Sequence, residues 1–487
     1  MKLLFTHSYF LQLDPKQVAH AQPYPPLGTI FAASLMREHG FDAKLFDTIF
    51  SKQPDEIIPL LENYKPDVLV VYDDGFNYLT KMCLTNMREA AFKMQQYAKQ
   101  YGCKVIMTSS DAADHYEKYL DKGADYVIIG EAEYTLLKLV QSLNGNKVHL
   151  ESISGLAFKN GDAVIKTGKR AISKDLDKLP LPAWDLVDII PYKKIWKEKH
   201  GYFSINIATT RGCPYKCNWC AKPMYGNAYN MRSPQNVINE IKLLRLLFDF
   251  DHIWFCDDIF GLKRSWVNDF AELVKKEQLT FNYKIQSRAD LLVQEKYVES
   301  LAISGCADVW MGAESGSQKI LDAMDKGTTV EEIKQARQLL KQNGIKASFF
   351  LQFGYLGETM EDIQKTIALV KDTMPDDIGI SVSYPLPGTA FYEKVKHDLT
   401  TKTNWTDSDE LAMLFKSTYK PEFYKQLQQY IHKMYRKKIG IQALKGLFSK
   451  PSKHSFKKAI SLLHLIPNEQ IEKYKLKKIE PIAATGI

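Results

Sequence analysis

Short apolar runs alternate with amphipathic stretches through the first 145 residues. Five runs, "KLLFT", "DAKLFD", "DVLVVY", "KVIMTS" and "DYVIIG", are too short for helices and are bounded by turn-forming residues, which predicts strands. Between them, "PPLGTIFAASLMREHG" and "LTNMREAAFKMQQYAKQYG" space their apolar residues by three and four and end on Gly40 and Gly102. Strands alternating with helices predict a parallel, doubly wound sheet over residues 1–150, with a ligand crevice at the strands' carboxyl ends. The first strand runs into "HSYFLQLD" with no Gly-x-Gly-x-x-Gly, so a dinucleotide site of the usual kind is not expected.

Residues 151–200 read as a connector. "GLAFKNGDAVIK" predicts a hairpin turning at Asn160-Gly161, and "LDKLPLPAW" a proline-stiffened linker. Alternation then resumes over 201–400. The strands "FSINIATT", "HIWFCD", "FNYKIQS", "DVWMGAE", "KASFFLQF" and "IGISVSY" are each separated by a helical stretch. Six such units predict a partial parallel barrel, because a closed one of eight units takes roughly 250 residues. The remainder, 401–487, reads as a mostly helical tail. Gly440 and Gly446 are expected to interrupt any long helix there. The fold class is therefore α/β: a Rossmann-like domain, a partial (β/α)6 barrel and a helical tail.

Unusual residues gather at one place in this scheme. Cys213, Cys217 and Cys220 follow the first barrel strand, and Asp257-Asp258 end the second. Ser287-Arg288 end the third, Glu314-Ser315 the fourth, and Gly354 with Glu358 follow the fifth. Parallel barrels build their active sites at the carboxyl ends of their strands. The chain holds seven cysteines, so three within eight residues, spaced Cys-x-x-x-Cys-x-x-Cys, are a concentration. Three is odd for disulfides and one short of a closed zinc site, though a distant fourth ligand would complete one. Three thiolates also suit an iron–sulfur cubane with one iron left open to a small molecule. Arg211, Lys216 and Lys222 would help stabilise thiolate charge. Cys256 and Cys306 read as small buried hydrophobes.

The net charge of +8 is concentrated: from Phe423 to Asn468 there are nine Lys, one Arg and no acid. That stretch reads as a solvated basic helix pair, or as weak anionic membrane-surface contact. The amino terminus lacks the long apolar segment of a signal peptide, and scattered cysteines suit a reducing cytoplasm. No aromatic-basic motif supports a metal-stapled nucleic-acid module, so no nucleic-acid partner is expected.

The cysteine spacing, with Trp219 as the aromatic just before its last cysteine, resembles the signature of radical S-adenosylmethionine (SAM) enzymes. The resemblance implies a [4Fe-4S] cluster on Cys213, Cys217 and Cys220 whose open iron chelates SAM, and reductive cleavage to a 5′-deoxyadenosyl radical. It places Asp257 or Asp258 at the SAM amino group, Glu314 and Ser315 at the ribose, and Arg288 at the carboxylate. Gly354 and Glu358 match the second half of a Gly-x-Ile-x-Gly-x-x-x-Glu pattern near adenine, whose first half is Phe350 and Gln352 here. The stretches "YPPLGTIFAASLMREHG", "KPDVLVVY", "KVIMTSSDAADHYEKYLDKGADYVIIGEAE" and "LDKLPLPAWDL" resemble the cobalamin-binding class of the family. That implies cobalamin along the carboxyl edge of the first sheet, near Ser109, Ser110, Gly130 and Glu131. No Asp-x-His-x-x-Gly motif is present, so no histidine below cobalt is expected, and His115 reads as a surface residue. Methylthiotransferases carry three cysteines in their first domain, whereas this one has Cys83 and Cys103. The expected activity is methylation of an unactivated carbon or phosphorus centre of a small molecule, with radical cyclisation or rearrangement as the alternative. An electron donor such as flavodoxin or ferredoxin is implied, and no catalytic side chain beyond the cofactor ligands.

Overall fold

The computed structural model describes residues 1–146, 148–222, 224–447 and 453–479. The first sheet has seven strands in the order β2-β1-β3-β4-β5-β6-β7. Its first five are β1 (Lys2–Thr6), β2 (Asp42–Phe46), β3 (Val68–Tyr72), β4 (Lys104–Thr108) and β5 (Tyr126–Ile128). They are parallel. In β3, Val68 and Val70 join one core, with Ala32 and Leu136, while Leu69 and Val71 join the other, with Ala91 and Met94. Helices thus cover both faces, which is why the strands read as continuous apolar runs rather than alternating ones.

The hairpin turning at Asn160-Gly161 is present as β6 (Leu156–Asn160) and β7 (Ala163–Lys166). It is part of the first sheet, not of a free connector: β6 pairs antiparallel with β5. The sheet therefore runs past residue 150. Period-two patterning does not show which edge a hairpin will join.

The second sheet comprises β8 (Ser204–Ile207), β11 (His252–Phe255), β12 (Asn282–Ser287), β13 (Cys306–Glu314), β14 (Lys346–Phe353) and β15 (Asp377–Val382). Its order is β15-β14-β13-β12-β11-β8, every pairing parallel. β8 and β15 are edges, so the barrel is open. A short ribbon, β9 (Thr210–Arg211) with β10 (Asn230–Met231), brackets the cysteine segment. Ile205, Ile253, Tyr283, Ile285 and Val309 are fully buried towards the helices. Their alternates, Asn206, Trp254, Lys284 and Asp308, lie side by side in register and line the lumen.

The first domain seals the β8 edge with "QPYPP". The Tyr24 and Ser204 hydroxyls are 3.0 Å apart, Asn206 Nδ2 donates to the Pro25 carbonyl at 3.0 Å, and Trp196 Nε1 donates to that of Pro23 at 2.8 Å.

The expected break at Gly440 does not occur, since one helix spans Pro421–Leu447. A Cβ at Gly440 would lie 2.7 Å from Leu462 Cδ2 of the helix Leu462–Lys478, so close helix crossing outweighs the weak helix propensity of glycine. Phe423, Leu427, Ile431 and Met434 are buried, and Tyr435 Oη donates to the Pro375 carbonyl at 2.7 Å, which makes the start of the tail part of the barrel's core. Among the described residues no helix is long and apolar enough to cross a membrane.

Candidate functional site

The cysteine loop hangs between the two strands of the ribbon, β9 and β10. At its head Gly212 has φ +80°, and a Cβ there would lie 2.2 Å from the Ala228 carbonyl oxygen, so only glycine admits this turn. Asn218 fastens the middle. Its backbone N–H donates to the Met324 carbonyl at 3.0 Å, and its side-chain amide donates to Ala323 O and Asp325 and accepts from Tyr355 Oη. The Cys220 N–H closes a turn onto the Cys217 carbonyl at 3.2 Å. All three thiols are free of disulfides; Cys213 is buried, and Cys217 and Cys220 are partly exposed.

Burial and neighbouring Asp258 push the Cys220 thiol up to about 12, and burial also raises Cys213. Binding to a metal ion would favour the thiolate forms and offset this burial. Among the described residues no three His, Cys, Asp or Glu side chains are already gathered round a metal position. The donor set still fits a cluster. It has three thiols on one loop, and the Trp219 indole N–H is buried beside them without a partner.

The other rim residues divide between loop-holding and open positions. Asp257 is spent: its carboxylate accepts from the Thr209 N–H and hydroxyl at 2.7 and 2.5 Å and from the Thr210 N–H at 2.8 Å, which corrects its expected role at the SAM amino group. Asp258 pairs with Lys81 of the first domain at 2.6 Å. Arg288 donates to Asp290 at 3.0 Å and to the Lys326 carbonyl at 2.7 Å. Its remaining nitrogen lies 3.7 Å from Cys217 Sγ, and its guanidinium lies over the Tyr215 ring. Arg288 therefore faces the cysteine loop as well as the rim.

Glu314 has φ +57° and pairs in a buried position with Lys326 at 2.7 Å. Ser315 is wholly buried, 3.1 Å from the Thr366 hydroxyl and accepting from the Ser317 N–H, so it braces the strand end and is not open to a ribose. Gly354 donates its N–H to Glu358 at 2.6 Å.

Glu358 is fully buried with Oε1 unpartnered, and burial pushes its carboxyl up to about 8. A folded-state value above the unfolded one makes this group's stabilisation complete below about pH 4.5 and lost as pH rises through about 8. Wild-type protein is expected to lose stability relative to Glu358→Gln between pH 5 and 8.5, by on the order of 1 kcal/mol per pKa unit of displacement. Denaturant unfolding of both proteins across that range measures it. A pH-independent difference would mean that Glu358 is ionised in the fold.

The carboxyl edge of the first sheet meets this rim. Arg211, next to Gly212, donates to Glu131 and Glu133, each at 2.7 Å, with all three side chains at least 96% buried. Glu131 also accepts from the Ser173 N–H at 2.6 Å. Two expectations are corrected together: Glu131 is not free to meet a ligand, and Arg211 neutralises glutamates, not thiolates. Ser109 caps the helix Ser110–Asp114 by accepting from the Ala112 N–H, and Ser110 is buried in its first turn. Gly130 faces the Met224 carbonyl of the cysteine segment at 3.9 Å from a Cβ position.

The cavity at this edge lies instead at the ends of β1 to β3. Tyr9, Ile49 and Phe76 line it opposite Asn206, Trp254 and Cys256 of the barrel. His7 also borders it, but both ring nitrogens are engaged, at 2.9 Å from Asp47 and 3.1 Å from the Thr48 hydroxyl. Polar Asp74, Asn77 and Thr80 share this lining with the aromatic and aliphatic side chains, and it offers no free imidazole, which agrees with a group that takes no histidine ligand. His115 stands apart, with its side chain 37% exposed.

Asn218, Lys326 and the Glu131–Arg211–Glu133 triad were missed by sequence reasoning. Asn218 lies inside the cysteine signature at a position that signature leaves open. The other two join residues 12 and about 80 apart, and no spacing rule connects those.

Residues 207–370 match the radical SAM superfamily. The chain carries a radical SAM domain. An uncharacterized methyltransferase of Pyrococcus horikoshii is 26% identical over 78% of this chain and 81% of its own. Two solved structures share the fold around the radical SAM domain. OxsB, a cobalamin-dependent S-adenosylmethionine radical enzyme with aqua-cobalamin bound, superposes with a TM-score of 0.74 at 16% identity, over 99% of this chain and 73% of that one. The radical S-adenosylmethionine methyltransferase TsrM from Kitasatospora setae, with cobalamin and a [4Fe-4S] cluster bound, gives 0.67 at 16% identity, over 81% and 74%. The OxsB likeness extends beyond the radical SAM domain to the first sheet and the tail.

Proposed function

We propose that the protein is a cobalamin-dependent radical SAM methyltransferase acting on a small molecule. The observation that carries this reading is the clasp between the two halves: the cysteine loop of the radical SAM domain is gripped through Arg211 by the carboxyl edge of the first sheet. That contact sets a cluster site and a cofactor crevice against one another, the arrangement methyl transfer between two cofactors requires. The named activity of the Pyrococcus relative and the cobalamin in both related structures support it.

When bound, the cluster with SAM supplies one-electron chemistry and cobalamin a transferable methyl group. The chain's own residues hold and orient. Cys213, Cys217 and Cys220 would ligate the cluster, and Asn218 keeps their loop in register with the helix Gln318–Ala323. Trp219 Nε1–H, Asp258, Arg288 and the Glu314–Lys326 pair would meet SAM, and Gly354 with Glu358 would border its adenine. The side chains bordering the β1–β3 cavity would exclude water from cobalamin. A flavodoxin- or ferredoxin-like donor would deliver electrons, and the basic tail would give weak contact with an anionic membrane surface.

The test is cofactor capture by the full-length chain, because a fragment ending at residue 150 would cut the first sheet. Anaerobically reconstituted protein is expected to retain one cobalamin through gel filtration, with a spectrum lacking a lower nitrogen ligand and unchanged by His115→Ala. A protein with an intact cluster that retains no cobalamin would be a cobalamin-free radical enzyme.

A further inference from the structure

The barrel lumen holds a half-buried cation that makes no close ion pair. Lys284 projects from β12 in the layer shared with Asn206, Trp254 and Asp308. Its ammonium lies 5.2 Å from the Tyr24 ring centroid and 5.1 Å from that of Trp254. Among the described residues it makes no hydrogen bond and no ion pair within 4 Å. Asp308, its neighbour in register, turns to Ser348 instead, accepting from that hydroxyl at 3.0 Å. Burial lowers the Lys284 amine to about 8, with Asp308 only partly opposing. Protein interiors keep unpaired charges rarely, because desolvation of an ammonium costs several kcal/mol that flanking rings alone do not return.

Two further features point into the same space. Asn206 is 2% exposed and uses its amide N–H on Pro25, which leaves Oδ1 buried without a donor. Higher in the lumen, Phe350 is 37% exposed and packs on Trp310 with centroids 4.8 Å apart, an open aromatic surface near the rim. Asn206 and Trp254 border the cavity between the domains, and Lys284, Trp310 and Phe350 stand on the same face of the sheet, so a cation, an acceptor and aromatic rings share one side of the barrel, the elements of a small-molecule site.

We infer that the methyl acceptor carries an acid group, carboxylate or phosphate, received by Lys284 in the lumen. Asn206 Oδ1 accepts an N–H or O–H of the same molecule, and the Trp254, Trp310 and Phe350 rings flank its apolar part. The inference rests on the methyltransferase reading for the word acceptor; the anion site itself does not. The acid end lies low in the lumen. Four residue steps, the last just past β12, take the chain from Lys284 to Arg288 at the rim, about 13 Å at the usual strand rise, so the carbon to be methylated sits well away from the acid group.

The experiment measures binding of phenylacetate, phenyl phosphate and the neutral phenylacetamide to full-length, cluster-loaded, unreduced protein by saturation-transfer NMR. At least one acid is expected to bind saturably, at least tenfold more tightly than the amide, and the tighter of the two acids identifies the group. Lys284→Met, which replaces a half-buried cation by an apolar chain of similar length and is expected to fold, should weaken acid binding tenfold or more, and Lys284→Arg should restore much of it. Equal binding of amide and acids, acid binding unchanged in Lys284→Met, or no saturable binding of either acid to the wild type would each overturn the anion site. Wild-type protein that binds the acids but holds no cluster and cleaves no SAM would sink the methyltransferase reading and leave the anion site standing.

Discussion

Alanine at Cys213, Cys217 or Cys220 is expected to abolish cluster retention and, with it, reductive formation of 5′-deoxyadenosine from SAM. Each substitution leaves two thiols on a loop whose chemistry calls for three, and a cubane with two open irons is not held. Iron and sulfide per chain after anaerobic reconstitution should fall to background, and product yield should fall by orders of magnitude. Cys256→Ala and Cys306→Ala are the controls. These thiols are 4% and 6% exposed, and Cys256 Sγ lies 3.3 Å from the Ile207 carbonyl within the strand layer, so they act as packing groups. Their variants should retain iron and cleavage. Stoichiometric zinc without iron in anaerobically purified wild-type protein would sink the radical reading.

The second large effect concerns Arg211. Its guanidinium is the buried counter-ion of both Glu131 and Glu133, which are themselves almost inaccessible to water. Arg211→Met strands two carboxylates in the interior. Breaking a buried ion pair by removing one partner costs roughly 3–5 kcal/mol, because the remaining charge has lost both water and partner. The variant should show a lowered denaturant midpoint of that size and, because Arg211 adjoins Gly212 and Cys213, reduced iron content at unchanged pH and temperature. Adding Glu131→Gln and Glu133→Gln to Arg211→Met should recover much of the loss by removing the stranded charges. A loss below about 1 kcal/mol in Arg211→Met would mean that the triad does not hold the two halves together.

The cofactor loop was legible because its information is local. Three thiols at fixed spacing, the aromatic at Trp219 and the glycine at Gly212 lie within nine residues, and each acts on the geometry of its own turn. Strand ends were legible too, since apolar runs stop where the chain leaves the sheet, and that placed Asp257, Arg288 and Glu314 on one rim. What each carboxylate does there was not legible. Asp257 and Asp258 are adjacent and chemically alike, yet one is consumed by Thr209 and Thr210 and the other reaches Lys81. Both lie in the loop just past β11, and what each meets there comes from distant segments. Glu131 failed as an expected ligand contact for the same reason, since Arg211, its partner, is 80 residues away.

By itself, the sequence determined the α/β class, the strand and helix order, the open six-stranded barrel and the thiol loop. All of these follow from periodicity, turn chemistry and ligand spacing acting over a few residues. Tertiary structure alone decided that the hairpin joins the first sheet, that Gly440 sits inside a continuous helix, and that Lys284 stands in the lumen without a close ion pair. Those outcomes depend on which surfaces meet: β6 finds an unpaired edge on β5, Leu462 approaches Gly440, and Asp308 finds Ser348 before Lys284. Burial and pairing energies are set by such long-range neighbours, which is why the charge states that matter for chemistry emerged only once the chain was folded.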